Sequence, residues 1–330
     1  MCTFPLKGFV NGKTANGKDN YIITSYNVDH IEFRNGTMFK CENKFKSPTA
    51  TKWITKFVEI PCGKCLECRL SYSKQWANRM MCEALYSDDN YFLTLTYDNE
   101  HLRINELGLA TLFKKDFQDF MKRLRRRIEP DTIRFFSCGE YGDHTFRPHY
   151  HAIIFGLKIL DLEYFGQSTG FPVYISKFIS DVWSKGHVLI APVSWSTCAY
   201  TARYVVKKAN RYSKDSSAFD LIEPEFCLMS RRPGIGRQYF DDNVDNIYKF
   251  DELTFSTPQG GKTSKPPKYF DKCLERLNES WYIAIKEHRK KVGEITRNTL
   301  LCKSNLTYQE ILQRRSAALV ERTKSLKRIL

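Results

Sequence analysis

The order of the elements predicted between residues 90 and 209 most constrains the fold of this chain. Residues 91–97 alternate in the way typical of a strand, and an apolar stripe at helical spacing runs from Phe113 to Ile128. The later predicted elements are strands at 132–138 and 149–155, a helix at 175–183, a strand at 187–193 and a helix at 197–209. This β-α-β-β-α-β-α order predicts an α+β fold, an antiparallel sheet with helices packed on one face, on the ferredoxin-like or RRM-like plan.

Composition and breaker residues divide the chain into four predicted segments. They are an N-terminal segment with a cysteine cluster and a helix (1–89), the βαββαβα domain (90–255), a Gly- and Pro-rich linker (256–268) and a mainly helical, basic C-terminal region (269–330). Residues 262–330 hold 17 Lys or Arg against 7 Asp or Glu, so two thirds of the excess positive charge lies there.

The charge of the chain predicts a polyanionic partner. Lys and Arg number 52 against 37 Asp and Glu, a net charge of +15, and nucleic acid is the simplest partner, although charge alone leaves DNA, RNA and anionic lipid open. No apolar run approaches the ~18 residues of a membrane span, so we expect no integral membrane protein. Two basic clusters are candidate DNA contacts: Arg123, Arg125, Arg126 and Arg127, and Arg231, Arg232 and Arg237.

His149 and His151 are the first candidates for chemistry. On a strand, residues i and i+2 face the same side, so both imidazoles could bind one ion while Tyr150 faces the other way. Glu140 lies one predicted strand earlier and could complete a site with open coordination positions, which suits a catalytic divalent cation. Asp143 or His144 could replace Glu140 as the third ligand.

Tyr200 and Tyr204 lie four residues apart on a predicted helix, and Lys208 continues the same face. A phenol is a poor nucleophile at neutral pH, but a cation-polarised phosphodiester and a nearby ammonium would favour its attack. Tyrosines at this spacing are also common packing residues, so the pattern has weight only together with the histidine pair.

The chain has eleven cysteines, and residues 1–12 lack the pattern of a secretory signal. We therefore expect reduced thiols or metal ligands rather than a disulfide framework. Cys62, Cys65 and Cys68 would supply three soft ligands, and a fourth from Cys2 or Cys41 would make a tetrahedral structural Zn²⁺ site.

These motifs resemble those of the HUH endonucleases of rolling-circle replication, and specifically those of the two-tyrosine branch. The strand Phe92–Thr96, the His149–His151 pair and the tyrosine helix are similar to that family's three motifs. A closer resemblance is to the replication initiators of the gokushoviruses, phages of the Microviridae. It is carried by four further segments: Pro61–Arg69, Cys138–Gly142, Arg147–Gly156 and Ser230–Gly236.

The resemblance implies that one tyrosine, Tyr200 or Tyr204, nicks the origin of the supercoiled double-stranded phage DNA. It also implies a 5′-phosphotyrosyl intermediate, a 3′-OH primer for host polymerase, and later joining of the displaced single strand into a circle. His149, His151 and Glu140 would hold Mg²⁺ or Mn²⁺, and Lys208 would assist Tyr204. The implied location is the cytoplasm of the bacterial host.

A near match to a phosphate-binding loop, ending in Gly261-Lys262-Thr263, is followed by Pro266 and Pro267 where a helix should begin. We therefore expect strand separation to need a host helicase.

Three other functions use part of the same pattern. A non-catalytic single-stranded nucleic-acid-binding module on an RRM-like sheet would bind without cleavage and would leave the histidine pair and tyrosine helix unexplained. An HUH relaxase or transposase would use similar parts, although relaxases commonly carry three histidines. A zinc-bearing transcriptional regulator would depend on Cys62–Cys68 alone.

Overall fold

The computed structural model describes residues 2–128, 133–142, 145–168, 171–207, 221–257 and 260–324. Within these ranges the chain forms eight helices. They are α1 (Leu66–Ala84), α2 (Lys114–Arg127), α3 (Lys177–Trp183), α4 (Trp195–Lys207), α5 (Arg237–Phe250), α6 (Lys268–Leu277), α7 (Glu279–Cys302) and α8 (Tyr308–Lys324).

The strands of the same ranges fall into four sheets. They are β1 (Leu6–Lys13), β2 (Asp19–Thr24), β3 (His30–Arg34), β4 (Thr37–Cys41), β5 (Lys52–Ile54), β6 (Phe57–Ile60), β7 (Asn90–Thr96), β8 (Arg134–Tyr141), β9 (Pro148–Phe155), β10 (Glu163–Ser168), β11 (Phe171–Ile175), β12 (Val188–Pro192), β13 (Phe226–Met229), β14 (Leu253–Thr257) and β15 (Gly260–Ser264).

The largest sheet has seven strands in the order β10-β11-β12-β7-β9-β8-β13, and every neighbouring pair is antiparallel. Its four central strands, β12-β7-β9-β8, are the four strands predicted from the sequence. Numbered along the chain they have the order 4-1-3-2, which is the order of a ferredoxin-like βαββαβ unit. The predicted α+β class is therefore confirmed.

One face of this sheet is covered by α2 and α3. Period-two alternation turns Leu93 and Leu95 of β7 toward them, and both side chains are fully buried. Phe120 of α2 and Trp183 of α3 pack against each other with ring centroids 6.0 Å apart. These are the two helices of the βαββαβ unit, and they share one face as predicted.

The opposite face of the sheet is covered by α1 and α4. Ala77 and Met80 of α1 and Ala202 of α4 form a second cluster with Phe136 and Ile153 of the sheet. The helix that carries the two tyrosines thus lies across the sheet from α2 and α3, a refinement of the predicted one-face arrangement. The alternation pattern already contains the reason, because Phe136 and Ile153 make the second face apolar as well.

The sheet is longer than the sequence pattern predicts. At one edge β10 and β11 form a hairpin, and at the other β13 pairs with β8. Residues of β10 are largely exposed, so the hairpin lacks the hydrophobic alternation that makes a strand recognisable in sequence.

The linker predicted at 256–268 is wrong for the part that the structure describes. β14 and β15 pair there as an antiparallel hairpin. Leu253 and Phe255 alternate into a core with Phe240 and Phe270, so this segment contributes buried apolar surface. The Gly and Pro residues that suggested a linker begin β15 and precede α6, and Pro267 is the N-cap of that helix.

The chain divides into two compact units, Met1–Leu70 with Glu294–Leu330, and Ser71–Gly293. This division groups segments differently from the boundaries predicted by composition. In the first unit, two three-stranded sheets surround a small core of Phe9, Val28 and Ile31.

A polar cluster on Glu59 joins the two chain segments of the first unit. The Glu59 carboxylate of β6 accepts hydrogen bonds from Tyr26, from Arg297 and from Tyr308 of α8. Burial and the adjacent Glu59 carboxylate raise the pKa of Tyr26 to about 12, so its hydroxyl stays protonated and keeps donating.

None of the helices in the described part of the chain combines the length and the apolar character that crossing a lipid bilayer requires.

Candidate active site

Three central strands bring the predicted metal ligands together. In the ladder between β8 and β9, Glu140 pairs with His149, and in the ladder between β7 and β9, Thr94 pairs with His151. Paired residues and residues two apart face the same side of a sheet. The three candidate ligands therefore lie side by side on the face that α4 covers.

The ligand atoms converge on one point. The Nε2 atoms of His149 and His151 each lie 2.8 Å from the same carboxylate oxygen, Oε1 of Glu140. All three candidate ligand atoms are within 4.8 Å of one another. Glu140 and His151 are buried, whereas His149 is partly exposed, so the cluster opens to solvent on the His149 side.

Glu140 remains ionised at this buried position. Burial alone would raise the pKa of its carboxyl, but the hydrogen bonds and charges of the two imidazoles outweigh burial and lower the pKa to about 2. A carboxylate with such a low pKa is a poor proton acceptor and a good cation ligand.

The outer nitrogens of both histidines have partners of their own. Nδ1 of His149 lies 3.1 Å from the carbonyl oxygen of Arg147, and Nδ1 of His151 lies 3.0 Å from Oγ1 of Thr94. A carbonyl can only accept, so His149 holds its proton on Nδ1. With carboxylate oxygen facing Nε2, the ring needs either a second proton or a cation at that position. This donor set therefore fits a divalent metal ion, with two imidazole nitrogens and one carboxylate oxygen as ligands.

Tyr200 reaches into this cluster from α4. Cys198 and Ala202 on the same helix are fully buried, which fixes how α4 lies over the sheet. The Tyr200 hydroxyl donates to Oε1 of Glu140 at 3.2 Å and lies 3.3 Å from Nε2 of His151. A potential nucleophile thus touches two of the three candidate ligands.

Aromatic contacts hold the orientation of these side chains. The ring of Phe92 stacks on His151 with centroids 5.3 Å apart, and the ring of Tyr200 meets His151 edge-on at 5.0 Å. Phe92 and Thr94 were not predicted as site residues. The alternation of β7 contains the signal, because it places both on the face opposite the buried leucines.

Gly139 lets β8 present Glu140. It pairs with Tyr150, and a Cβ at Gly139 would meet the Phe226 ring and the Leu112 side chain at about van der Waals overlap. Any larger residue would push β8 away from the core side and move Glu140 with it.

Several predicted site residues cannot be placed in this geometry. Lys208 lies outside the described residues, as do Asp143 and His144, the two alternatives for the third ligand. Tyr204 belongs to α4, but its side chain lies outside what is described. Tyr200 is therefore the tyrosine whose contacts with the cluster are on view.

The arginines predicted to contact DNA have different surroundings. Arg123 of α2 donates to the carbonyl oxygens of Val182 and Trp183, which end α3, and it lies on the face of the sheet opposite the cluster. Arg125 donates to the carbonyl oxygen of Ile133.

Arg237 of the second basic cluster pairs with Asp241 at 2.8 Å. The remaining four arginines, Arg126, Arg127, Arg231 and Arg232, are exposed.

The predicted cysteine set converges at a separate place. Cys2, Cys62, Cys65 and Cys68 have their sulfur atoms within 4.8 Å of one another. Cys41, the other predicted fourth ligand, lies instead beside His30 and Glu32.

Residues 90–209 match the family of the replication-associated protein ORF2. This range contains Glu140, His149, His151 and Tyr200, so the matched segment and the geometric cluster coincide. The chain matches no solved structure.

Three curated relatives have similar names. The chain is 39% identical over 244 residues to the replication-associated protein ORF2 of Spiroplasma virus 4, covering 72% of this chain and 75% of the relative. It is 32% identical over 250 residues to the replication-associated protein VP4 of Bdellovibrio phage phiMH2K, covering 72% and 74%. It is 37% identical over 226 residues to the replication-associated protein ORF4 of Chlamydia phage 1, covering 66% and 54%.

Proposed function

This chain belongs to the family of replication-associated proteins of the gokushoviruses, and we propose that it initiates rolling-circle replication by nicking the phage origin through Tyr200. The observation that carries the proposal is the position of the Tyr200 hydroxyl, 3.2 Å from Glu140 and 3.3 Å from His151. A phenol held beside two imidazoles and a carboxylate has the arrangement of a nucleophile next to a cation site.

In the proposed step, the phenolate oxygen of Tyr200 bonds to the phosphorus of the scissile phosphodiester, and the bond from phosphorus to the 3′ oxygen breaks. The proton lost by the phenol is balanced by the proton that the departing 3′ oxygen takes up. The products are a 5′-phosphotyrosyl link and a free 3′-OH. Because one phosphodiester replaces another, the step is reversible, and a 3′-OH can later attack the link to join a strand.

Glu140, His149 and His151 would hold Mg²⁺ or Mn²⁺, and the two imidazoles favour Mn²⁺. Such a cation polarises a phosphate oxygen and stabilises charge in the transition state by several kcal/mol. Glu140 orients the Tyr200 hydroxyl by accepting its hydrogen bond, and Phe92 and Thr94 keep the His151 ring from turning.

The second tyrosine and the basic residues have proposed roles in the same cycle. Tyr204 would attack the regenerated origin after one circuit, with Lys208 beside it, and the displaced single strand would close into a circle. Four exposed arginines, Arg126, Arg127, Arg231 and Arg232, would contact phosphates. Host polymerase would extend the 3′-OH, and a host helicase would separate the strands, in the cytoplasm of the bacterial host.

The test is a nicking assay on supercoiled replicative-form DNA with Mn²⁺ or Mg²⁺. We expect open circles whose 5′ end is linked to protein and whose 3′ end a polymerase can extend. DNA binding without a covalent adduct, on supercoiled and single-stranded origin DNA alike, would favour the non-catalytic binding module instead.

Thr94→Val is expected to raise the Mn²⁺ concentration for half-maximal nicking by about 10- to 100-fold. The hydroxyl of Thr94 accepts the Nδ1 proton of His151, which leaves Nε2 free to bind a cation. Calorimetric titration of the protein with Mn²⁺ should show the same loss of affinity, and Thr94→Ser should restore it.

Thr96→Val is the matched control, because the Thr96 hydroxyl donates to the carbonyl oxygen of His187 and to neither candidate ligand. Equal effects of the valine substitution at positions 94 and 96 would show that β7 packing, and not the His151 hydrogen bond, is responsible.

A further inference from the structure

We propose that Cys2, Cys62, Cys65 and Cys68 bind one structural zinc ion, separate from the candidate active site. The four thiols come from three places in the first unit: the segment before β1, the turn after β6 and the first turn of α1. Residues so far apart in sequence have no reason to bring four sulfur atoms to one point unless the point itself is stabilising.

The distances between the sulfur atoms fit a single tetrahedral ion. Sγ of Cys2 lies 3.6 Å from Sγ of Cys62 and 3.7 Å from Sγ of Cys65. Zinc–thiolate bonds of about 2.3 Å in a tetrahedron place the sulfur atoms about 3.8 Å apart. A disulfide would need sulfur atoms about 2 Å apart. With all four sulfur atoms within 4.8 Å of one another, the space suits one ion rather than an iron–sulfur cluster.

Backbone amides support the thiolate form of these ligands. The amide of Cys62 donates to Sγ of Cys2, and the amide of Cys65 donates to Sγ of Cys62, both at 3.3 Å. Donation to the charged form of a ligand stabilises that form and orients its lone pairs. Gly63, with φ of +73°, makes the tight turn that aims the Cys65 amide backward.

The charge around the cluster is complementary to a zinc ion with four thiolates, which carries a net charge of −2. The guanidinium of Arg69 is close enough for its charge to interact with Cys65. Within the described residues, the Nε atom of Arg69 is buried and has no hydrogen-bond partner. A negatively charged metal cluster would stabilise that cation.

The other cysteine cluster lacks this character. Cys41 lies near Glu32, but the Glu32 carboxylate already accepts hydrogen bonds from the Arg34 guanidinium and from the Ser47 amide. A cation there would have to displace Arg34. The contrast assigns Cys2, not Cys41, as the fourth ligand.

Metal analysis of the purified full-length chain tests this proposal without reference to nicking. We expect close to one zinc per chain, released when a mercurial reagent blocks the thiols. Cobalt substitution should give the intense visible bands of tetrahedral Co²⁺ and a sulfur-to-cobalt charge-transfer band. Zinc removal should lower the melting temperature of the first unit by at least about 5 °C, since its hydrophobic core is small.

Cys65→Ser should lose the zinc, whereas Cys41→Ser and Cys302→Ser should keep it. Cys302 is exposed and outside the cluster, so it controls for the loss of any thiol. The proposal is overturned if the wild-type chain holds no zinc, if it holds iron with a red colour, or if zinc persists in Cys65→Ser. The cobalt spectrum of the wild type decides the matter even if Cys65→Ser fails to fold.

Discussion

Tyr200→Phe is expected to abolish the covalent protein–DNA adduct and to reduce nicking of origin DNA by at least about 1,000-fold. Phenylalanine keeps the ring that meets His151 edge-on but removes the oxygen that would bond to phosphorus. Denaturing gel electrophoresis of end-labelled DNA measures the adduct directly, and binding to the same DNA should change little.

Two further tyrosine variants make this result interpretable. Tyr204→Phe should still form the first adduct and should fail at the later joining step, because it lacks the second nucleophile. Tyr164→Phe, on the exposed β10 strand, should behave as wild type. If Tyr200→Phe forms the adduct and Tyr204→Phe does not, the order of attack is the reverse of the one proposed.

The second large effect is expected for Glu140→Gln. The substitution keeps the shape of the side chain but removes the negative charge that both imidazoles contact at 2.8 Å. We expect nicking to fall by about 1,000-fold, equivalent to about 4 kcal/mol of transition-state stabilisation. Mn²⁺ binding should weaken in parallel, as measured by calorimetric titration.

Glu163→Gln is the matched control, since Glu163 is exposed on β10 and changes the net charge by the same amount. Circular dichroism should show that both variants fold. Undiminished nicking by Glu140→Gln, or nicking by the wild type in excess EDTA, would count against a cation held by Glu140.

The sequence predicts the centre of the sheet well because its signals there are local. Alternation identifies β7 and β9, and the same alternation places His149 and His151 on one face and Tyr150 on the other. The third ligand could not be assigned from spacing, because Glu140 faces His149 only through the register of β8 against β9. Register depends on how the loop between the strands closes, and sequence periodicity does not determine that.

Other features depend on contacts between residues far apart in the chain. The spacing of Tyr200 and Tyr204 puts both on one helix face, but only the packing of Cys198 and Ala202 against the sheet shows where Tyr200 lies. Likewise, Cys2 joins a cluster that begins sixty positions later. Composition could not show that the segment 294–330 belongs with the first seventy residues.

The two-sided character of β9 has a consequence for the gene that encodes it. Tyr150 is fully buried and donates to the carbonyl oxygen of Phe113, while its two histidine neighbours face α4. Inserting or deleting a single codon within β9 would exchange the faces of every residue beyond it, putting an imidazole into the apolar core and a core residue among the ligands. In-frame length changes are therefore excluded here as strictly as frameshifts, whereas the exposed β10 strand should accept them.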